Sequence, residues 1–568
     1  MRALKRAMLV FHTVRHLRPA QALSMVRYRL FGFRSPGVLT DGICRRDDVA
    51  LAPPLIPNGS APGQFDRHIT FLHHRVELGA TGVDWRSDTL PKLWRYNLHY
   101  FDFLLWPDVS TERRAGLIDD WIAKNPVGTE DAWEPYTASL RIVNWIKWFI
   151  EAPETVKPEW QDSLACQANW LSRNLETHIL ANHYLKNIKA LVFAGAYLSG
   201  RDAERWLGNG KRLFVEQLKE QFMPSGAHYE LSPMYHCICT EDLLDVANMA
   251  ESNESLFDED FTSEINATVE RALDFLNSIL MPDGQIPLFG DSAFGVAQEP
   301  ARLFDYGEQL LGYRRAATPS KALTDAGYFV LRDRENRMVM KCGAPGPSYQ
   351  PGHTHCDMLS FELSLGGKRV FTDTGVFDYE NGTERAYSRD TRSHNTVSVE
   401  GHEQSEVWSV FRVARRARLI YAEVSSGSGS KARIEAEIEA FPAVRGSLRH
   451  RRVAEHAAGG AFRIVDTVSG DFNHPVEVSF HLAPGFSFSA DDRHVAVLDA
   501  DAHHVAGIRY CEDQIPRIDR GWCFPRFGLK QERQVLRFTK HGQFPTEMWC
   551  EIRPVRQTGY DSKPSHAL

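Results

Sequence analysis

Long apolar runs are missing from this chain of 568 residues. Near the amino terminus the longest such stretch, residues 7–11, ends at His12 and is too short for the apolar centre of a secretory signal. No later stretch approaches the about 20 apolar residues that a membrane-spanning helix needs. We therefore expect no transmembrane segment and no secretory leader. A cytoplasmic location is the expectation, with export by another route left open.

Cysteine and unbalanced charge are also scarce. The nine cysteines are scattered, and only Cys237 and Cys239 lie close together, at a spacing that differs from the C-x₂-C of zinc sites. We expect free thiols in a reducing compartment. The 66 Lys and Arg residues against 73 Asp and Glu residues give a net charge of -7, which offers no overall attraction to nucleic acid. We expect no nucleic-acid partner, and an anionic substrate must be met by local positive charge.

Acidic residues are absent from the first 40 positions, which hold eight Lys or Arg residues. Such a cationic segment can lie on a membrane surface or bind a partner. We favour a simpler interpretation, in which the segment forms an amphipathic helix that packs on the protein and turns a basic face to solvent.

The rest of the chain has two sequence patterns. From about residue 93 to about residue 311, apolar positions recur at helical spacing without a fixed repeat, which predicts a ring or stack of paired helices. After about residue 319, short alternating or β-branched runs separated by turn residues predict an antiparallel β-sandwich. We therefore predict a multidomain protein, α then β. Its parts are a basic N-terminal segment, an α-helical domain and a β-sandwich domain, at residues 1–60, 61–318 and 319–568.

The most specific chemical motif is PGHTHCDMLSFEL, which begins at Pro351. An H-x-H-x-D pattern on or just before a strand directs His353, His355 and Asp357 to the same face, because side chains alternate along a strand. Three ionisable groups on one face are hard to explain by packing alone. A Gly-Gly turn then returns the next strand, which carries Asp373, alongside the first.

These strands also suggest a metal site. His394, in RSHNTV, lies at the entrance to another strand, where it can meet His355 and Asp373. Imidazole nitrogens with a carboxylate oxygen form a ligand set for zinc, with Asn395 or Thr396 as supporting groups. A hydrogen-bonded network without metal is the alternative.

Two helical segments carry further candidates. Asn182 and His183 begin a predicted helix; an Asn there is often only a cap, but an amide beside an imidazole at a positive helix end also suits a bound carboxylate. Tyr235 follows Pro233 in GAHYELSPMYHC. Such tyrosines usually belong to the core, but a tyrosine beside cations can have a lowered pKa and exchange protons with a substrate.

Taken in their order along the chain, these segments resemble the heparinase II/III family of polysaccharide lyases. The resemblance runs from about residue 174 to about residue 406, through ANHYLKN, YELSPMYH, GHTHCDMLSFEL, FTDTG and RSHNTV. WRYNLHYFDFL and WEPYTASLRIVNWIKW further resemble family members from bacterial gene clusters for surface polysaccharides. The resemblance implies an incomplete (α/α) toroid followed by an antiparallel β-sandwich.

The resemblance also implies a chemistry, β-elimination on an acidic polysaccharide. A proton leaves C5 of a uronic acid, the C4 glycosidic oxygen departs, and positioned donors neutralise the adjacent carboxylate. By resemblance, Asn182 and His183 occupy the neutralising position, and Tyr235 and His353 are the proton-transfer pair, with acid and base unassigned. His355, Asp373 and His394 match the structural zinc ligands found in part of the family.

The substrate and two other functions remain open at this stage. No motif for binding sulfate is present, so we prefer a non-sulfated or acetylated uronic-acid exopolysaccharide. A polysaccharide clamp without catalysis would not need a proton-transfer pair. A glycoside hydrolase would need two carboxylates about 5 to 9.5 Å apart, with Glu230, Asp291 and Asp357 as possible partners.

The sequence does not give the oligomeric state. Candidate contributors to a basic groove are Lys92, Arg95, Arg141, Lys186, Arg385, Arg389 and Arg392.

Overall fold

The computed structural model describes residues 2–555 with short gaps. The gaps are residues 40–41, 60–62, 64, 79–81, 318, 334, 427–431, 445–447, 458–459, 472–473 and 492–493. A pair of N-terminal helices, a helical region and a region of antiparallel sheets follow one another along the described chain.

The N-terminal segment forms two helices, α1 (Arg2–Val14) and α2 (Pro19–Phe31). They pack on the protein as expected, but their solvent side differs from the predicted basic face. Leu4 and Phe11 are exposed there beside Lys5. Among the helices that the structure describes, none combines the length and the apolar content needed to cross a bilayer.

Nine helices make up the described helical region, and they alternate between two layers. α3, α5, α7, α9 and α11 pack in sequence against one another, and the intervening helices pack outside them. α7 is buried almost all round, as expected for an inner helix. Their bounds are α3 (Lys92–Tyr100), α4 (Thr111–Lys124), α5 (Pro135–Glu151), α6 (Pro158–Arg173), α7 (Ala181–Tyr197), α8 (Arg201–Gln221), α9 (Pro233–Glu251), α10 (Glu259–Ile279) and α11 (Pro300–Leu311).

Short strands accompany the helical region and long ones form the sheets that follow it. The bounds are β1 (Cys44–Arg45), β2 (His68–Phe71), β3 (His74–Glu77), β4 (Leu198–Ser199), β5 (Lys321–Leu323), β6 (Tyr328–Asp333), β7 (Asn336–Lys341), β8 (Phe361–Leu365), β9 (Lys368–Phe371), β10 (Val397–Val399), β11 (Val407–Trp408), β12 (Arg412–Val413), β13 (Arg418–Ser426), β14 (Ala432–Ala440), β15 (Leu448–His456), β16 (Phe462–Ser469), β17 (Val476–His481), β18 (Ser487–Ala490), β19 (Val495–Leu498), β20 (His504–Tyr510), β21 (Ile515–Arg526), β22 (Leu529–Lys540) and β23 (Thr546–Pro554), with the short helix α12 (Thr383–Arg389) after β9.

Three antiparallel sheets enclose the buried apolar core of the β region. Their strand orders are β5-β6-β7-β8-β9, β13-β14-β15-β16-β23-β20-β19-β18 and β10-β17-β22-β21. Phe361, Ile464 and Phe480, one from each sheet, belong to the same buried apolar cluster. The helical-then-β fold class is therefore confirmed. The last helix of the helical region ends at Leu311 and β5 begins at Lys321, while residue 318, at the predicted domain boundary, and residues 556–568 lie outside the described chain.

The predicted return of the strand before Asp373 is confirmed. β8 and β9 pair antiparallel, with Leu365 opposite Lys368, and Gly366 and Gly367 between them both have positive φ. The H-x-H-x-D motif, however, lies in an irregular segment before β8, so its side chains do not alternate as in a strand. The prediction that His353, His355 and Asp357 share one face is therefore wrong for Asp357, which pairs with Lys341 of β7 instead.

Candidate functional site

The candidate residues meet where the helical region contacts the sheets. Asn182 and His183 begin α7, and Tyr235 lies in the first turn of α9. His353 approaches from the segment before β8, opposite Tyr235. The two regions of the fold therefore each supply part of one site.

Asp291, in the connection between α10 and α11, is the hub of this site. It is completely buried, and its two carboxylate oxygens lie 2.8 Å from Nδ1 of His353 and 2.8 Å from Nε2 of His355. Arg385 of α12 donates to both oxygens. Burial by itself would raise the pKa of Asp291, but the Arg385 guanidinium and the two imidazoles hold that pKa well below its usual range. Asp291 therefore stays ionised and fixes the ring of His353.

Tyr235 lies directly against His353. The two rings stack with their centroids 3.7 Å apart, and the Tyr235 hydroxyl is 3.1 Å from the hydroxyl of Tyr379. Burial, reinforced by the nearby carboxylates of Asp291 and Glu230, raises the pKa of the Tyr235 hydroxyl well above its ordinary value. The expectation of a lowered pKa is therefore wrong, because desolvation outweighs the influence of Arg385. The phenol keeps its proton at neutral pH.

Asn182 is connected to the same cluster through Glu230. Its Nδ2 donates to Oε2 of Glu230 at 2.8 Å, and Oε1 of Glu230 lies 3.6 Å from Nε2 of His353. Asn182 is not the helix cap, because Leu180 holds that position and the Asn182 side chain points to Glu230 instead. The Oδ1 atom of Asn182 is buried without a hydrogen-bond partner. A buried acceptor of this kind is available to a ligand.

His183 lies at the more open side of the site. Its Nδ1 is 3.0 Å from Oε1 of Glu176, its ring packs on Tyr136 with centroids 4.3 Å apart, and 31% of its side chain is exposed. Desolvation disfavours the charged ring, but the Glu176 carboxylate outweighs it and raises the pKa of His183. His183 can therefore present a positive charge to an incoming carboxylate.

The three candidate metal ligands are buried close together but are only partly arranged around a common point. The rings of His355 and His394 lie 5.5 Å apart, and Nδ1 of His355 and Nε2 of His394 are both buried without a hydrogen-bond partner. Two unpaired imidazole nitrogens fit a metal ion. Asp373 instead accepts from Nδ1 of His394 at 2.7 Å and from Ser360 at 2.8 Å.

In the described parts of the chain, a different trio has its donor atoms within 4.8 Å of one another. It consists of Asp499, Asp501 and His503, in a turn at the surface. The predicted trio does not meet that distance, because Asp373 orients His394 rather than lying beside its unpaired nitrogen.

The proposed basic groove does not form from the seven candidate cations. Arg385 is bound to Asp291, Lys186 to Asp242 and Arg95 to Asp131. Lys92 pairs with Glu134, Arg392 with Glu477, Arg141 with Gln167, and Arg389 with backbone oxygens. All seven side chains are engaged with carboxylates, an amide or backbone oxygens, and of the seven only Lys92 and Arg392 are about half exposed.

The carboxylates required for glycoside hydrolysis are also committed elsewhere. Asp291 and Asp357 are completely buried and bound to Arg385 and Lys341, respectively. Glu230 is hydrogen-bonded to Asn182. A hydrolase needs one carboxyl group that holds a proton and a second facing it across open space. These three residues do not provide that arrangement.

Sequence reasoning missed Tyr379 at this site, and it named Arg385 only as a candidate for the basic groove. Tyr379 and Arg385 contact Tyr235 and Asp291, but they come from segments more than 90 residues away along the chain. Asp291 was considered only as a hydrolase carboxylate. The one signal available was an Asp within the otherwise apolar run IPLFGDSAFG.

Comparisons with known proteins agree with this architecture. The family model described as "Heparinase II/III N-terminus" matches residues 114–307, and the model described as "Heparinase II/III-like, C-terminal" matches residues 315–551. The chain belongs to the heparinase II/III family.

Its relatives include a protein named "Heparin-sulfate lyase" from Pedobacter heparinus, 29% identical over 50% of this chain and 47% of that protein. A protein with the same name from Bacteroides thetaiotaomicron is 24% identical over 68% of this chain and 58% of the relative. The chain thus matches about half of the length of these relatives.

Solved structures show the same fold. The structure titled "Crystal Structure of Heparinase III" superposes with a TM-score of 0.69 at 19% identity, covering 84% of this chain and 80% of that one. "Heparinase III-BT4657 gene product" gives a TM-score of 0.62 at 20% identity, covering 84% and 81%. The toroid followed by a β-sandwich, predicted from the family resemblance, is confirmed.

Proposed function

We propose that this protein is a polysaccharide lyase that cleaves a uronic-acid-containing polysaccharide by β-elimination. The observation that carries the proposal is the stacked pair of Tyr235 and His353, with His353 fixed by the ionised Asp291. Elimination needs one group that accepts a proton from C5 and one that donates a proton to the departing C4 oxygen. Family membership supports the same reaction.

The surroundings favour separate roles for the two side chains. Nδ1 of His353 donates to Asp291, which leaves Nε2 as the atom that can accept a proton from the substrate, so His353 is the proposed base. The raised pKa of Tyr235 keeps its hydroxyl protonated, so Tyr235 is the proposed acid. The electron pair of the C5–H bond forms the C4–C5 double bond, and the C4–O bond breaks as Tyr235 protonates the leaving oxygen.

Charge on the uronate is the second requirement of the reaction. The carboxylate must be neutralised before the C5 proton becomes acidic enough to leave. The raised pKa of His183 supports an imidazolium that pairs with the carboxylate. The Nδ2 amide of Asn182 donates one N–H to Glu230, and its second N–H is the proposed donor to the same group. These are the proposed roles of Asn182 and His183.

The stacking of Tyr235 on His353 bears on the stereochemistry of the substrate. Base and acid that lie one on the other reach the sugar from the same side. In glucuronate and mannuronate the C5 hydrogen and the C4 oxygen share a face of the ring, whereas in iduronate and guluronate they lie on opposite faces. We therefore favour glucuronate or mannuronate. Because the seven candidate cations are already engaged, a non-sulfated polymer is the preferred substrate.

The test is ultraviolet absorbance, since elimination creates a double bond conjugated with the carboxylate. Purified protein is incubated with non-sulfated glucuronate and mannuronate polymers and with sulfated or iduronate-rich polymers. New absorbance with the first set supports the proposal. Reducing ends without absorbance would indicate a hydrolase, and polymer binding without either product would indicate a clamp.

A bound zinc ion is a separate part of the proposal. His355 and His394 would hold it through their unpaired nitrogens, with Asp373 orienting the ring of His394, and the metal would brace the segment that carries His353. No step of the elimination passes through it. Elemental analysis of protein purified without chelator tests this, and the absence of stoichiometric metal from active protein would leave the three residues as a hydrogen-bonded network.

A further inference from the structure

The outward face of α1 is apolar. Leu4, Met8 and Phe11 recur at helical spacing and are exposed, Leu4 by 69% and Phe11 by 61%. The protein lies on the other side of the helix, where Thr13 donates to the backbone oxygen of Val413 and accepts from Nε1 of Trp408. An amphipathic helix of a globular protein normally turns its apolar stripe inward. α1 does the opposite.

α2 repeats the arrangement. Leu23, Val26 and Leu30 are spaced three and four residues apart and are exposed, Leu23 by 72%. The inward face is held by polar and aromatic contacts, with Ser24 Oγ 2.7 Å from Thr177 Oγ1 and the ring of Tyr28 stacked on His178. Two successive helices are thus fixed in place with apolar side chains directed to solvent, where such patches mark interaction surfaces.

Positive charge accompanies both apolar stripes. Residues 1–40 hold eight Lys or Arg residues and no acidic residue, in a chain whose net charge is -7. On α1, Lys5 is exposed and lies at the edge of the stripe of Leu4, Met8 and Phe11 by its helical position. On α2, Arg29 is exposed beside Leu30. The surface therefore combines apolar contact with attraction to negative charge.

We propose that α1 and α2 bind the surface of a bilayer that contains anionic lipid. The exposed apolar side chains enter the boundary between headgroups and acyl chains, while Lys and Arg meet lipid phosphates. An acidic polysaccharide would match the charge but would leave the apolar side chains in water. A second copy of the chain would bring two positively charged faces together. Anionic lipid satisfies both features at once.

Bound in this way, α2 holds the candidate site close to the membrane. Gln21 of α2 donates to the backbone oxygens of both His178 and Tyr349. His178 precedes Asn182 and His183 in the helical region. Tyr349 precedes His353 in the region of antiparallel sheets. α2 thus contacts both segments that lead to the candidate site residues.

Flotation of the full-length protein with vesicles tests the proposal. Two vesicle compositions are used, phosphatidylcholine alone and phosphatidylcholine mixed with phosphatidylglycerol. We expect binding to the mixed vesicles that weakens with added salt, and little binding to phosphatidylcholine alone. Combined Leu4→Ser, Phe11→Ser, Leu23→Ser and Leu30→Ser substitutions should lower binding by about tenfold or more, because the apolar transfer is lost.

Ile515→Ser is the matched control, because Ile515 is also an exposed apolar residue but lies on β21. It should bind vesicles like the unchanged protein, and circular dichroism checks that every variant is folded. Absence of binding to mixed vesicles would overturn the proposal. Salt-sensitive binding to an acidic polysaccharide that the four substitutions leave unchanged would also overturn it, as would a concentration-dependent dimer that the substitutions abolish without any lipid binding.

Discussion

At the scale of single residues, the site contains two kinds of group. One is the pair proposed to exchange protons with the substrate, and the other is the set of buried residues that hold this pair in place. Tyr235 and His353 stack on each other, and buried partners hold them in place. Asp291 orients His353, and desolvation keeps the proton on Tyr235. The proposed catalytic pair therefore depends on a carboxylate that does not itself exchange protons.

Replacing Tyr235 with Phe should reduce the rate of elimination by about 100-fold or more, because the donor to the leaving oxygen is removed. His353→Ala should have a similar effect. The double variant should be little slower than either single variant, because both residues serve one transition state. The measurement is the initial rate of ultraviolet absorbance.

Tyr421→Phe is the control for this series. It removes a phenolic oxygen that donates to Glu435 on a strand of the β region, away from the site. Its rate should match that of the unchanged protein. A Tyr235→Phe variant with near-normal turnover would remove Tyr235 from the mechanism.

The alkaline limb of the pH–rate profile should respond to Glu176. The Glu176 carboxylate raises the pKa of His183, so the imidazolium survives to a higher pH than it would alone. Activity that needs this charge is lost as the pH rises through the raised pKa. In Glu176→Gln the carboxylate charge is gone and the loss should begin at lower pH. The measurement is kcat/KM against pH, with Glu254→Gln, an exposed surface change, as control. An unchanged alkaline limb would exclude charged His183 from the reaction.

The sequence predicted four residues that the structure brings together in the candidate site, because each stands in a short local motif. The contacts that hold these residues in place were not predicted, for a physical reason. A hydrogen bond such as that from Arg385 to Asp291 joins residues brought together only by folding, and neither position shows a periodic or spaced pattern. The reversed pKa shift of Tyr235 has the same origin, since it depends on how completely the ring is buried.

At the scale of secondary-structure elements, the β8–β9 hairpin shows how glycine shapes the site. Gly366 and Gly367 have φ of 55° and 78°, a region that other residues enter at a cost. This turn allows β9 to return beside β8 and brings Asp373 near Ser360. It was readable from sequence because a Gly-Gly pair between alternating runs is a local signal.

Gly367→Ala should lower the free energy of unfolding by about 1 kcal/mol, because an alanine is strained at positive φ. Gly208→Ala makes the same chemical change within α8, at an exposed position with no neighbouring atom within 4 Å of the added Cβ. There it should stabilise the protein by about 0.5 to 1 kcal/mol. Urea unfolding of the two variants measures both effects. Equal signs would contradict the assignment of strain to the turn.

The N-terminal helices mark the limit of such local signals. Composition and spacing showed that the segment was cationic and amphipathic. They did not show which face of the helices contacts the protein. That choice depends on partners such as Trp408 and His178, which are more than 100 residues away along the chain.

At the scale of the whole molecule, the order of helical and strand patterns was sufficient to predict the architecture. Period 3.6 in one half and period 2 in the other exclude most alternatives. The detailed strand order was not predictable, since the eight-stranded sheet pairs β16 with β23 across a long intervening sequence.

If zinc is bound, chelation should lower the melting temperature by several degrees. A metal that binds only the folded state stabilises it by about 3 kcal/mol at a concentration a hundred times its dissociation constant. His394→Ala should lower the melting temperature similarly and abolish the response to chelator. His503→Ala is the control, since loss of the response in that variant would assign the metal to the surface trio.

The burial of Asp291 also predicts the order in which site residues are lost during evolution. Tyr235 gives up only one hydroxyl contact when it changes, whereas removing Asp291 or Arg385 strands a buried charge at a cost of about 3 to 5 kcal/mol. In a lineage released from selection for catalysis, Tyr235 should therefore be lost early, and the Asp291–Arg385 pair should persist as long as the fold does. A homologue that keeps the Asp291–Arg385 pair but lacks the tyrosine would be a folded protein that has lost its catalytic activity.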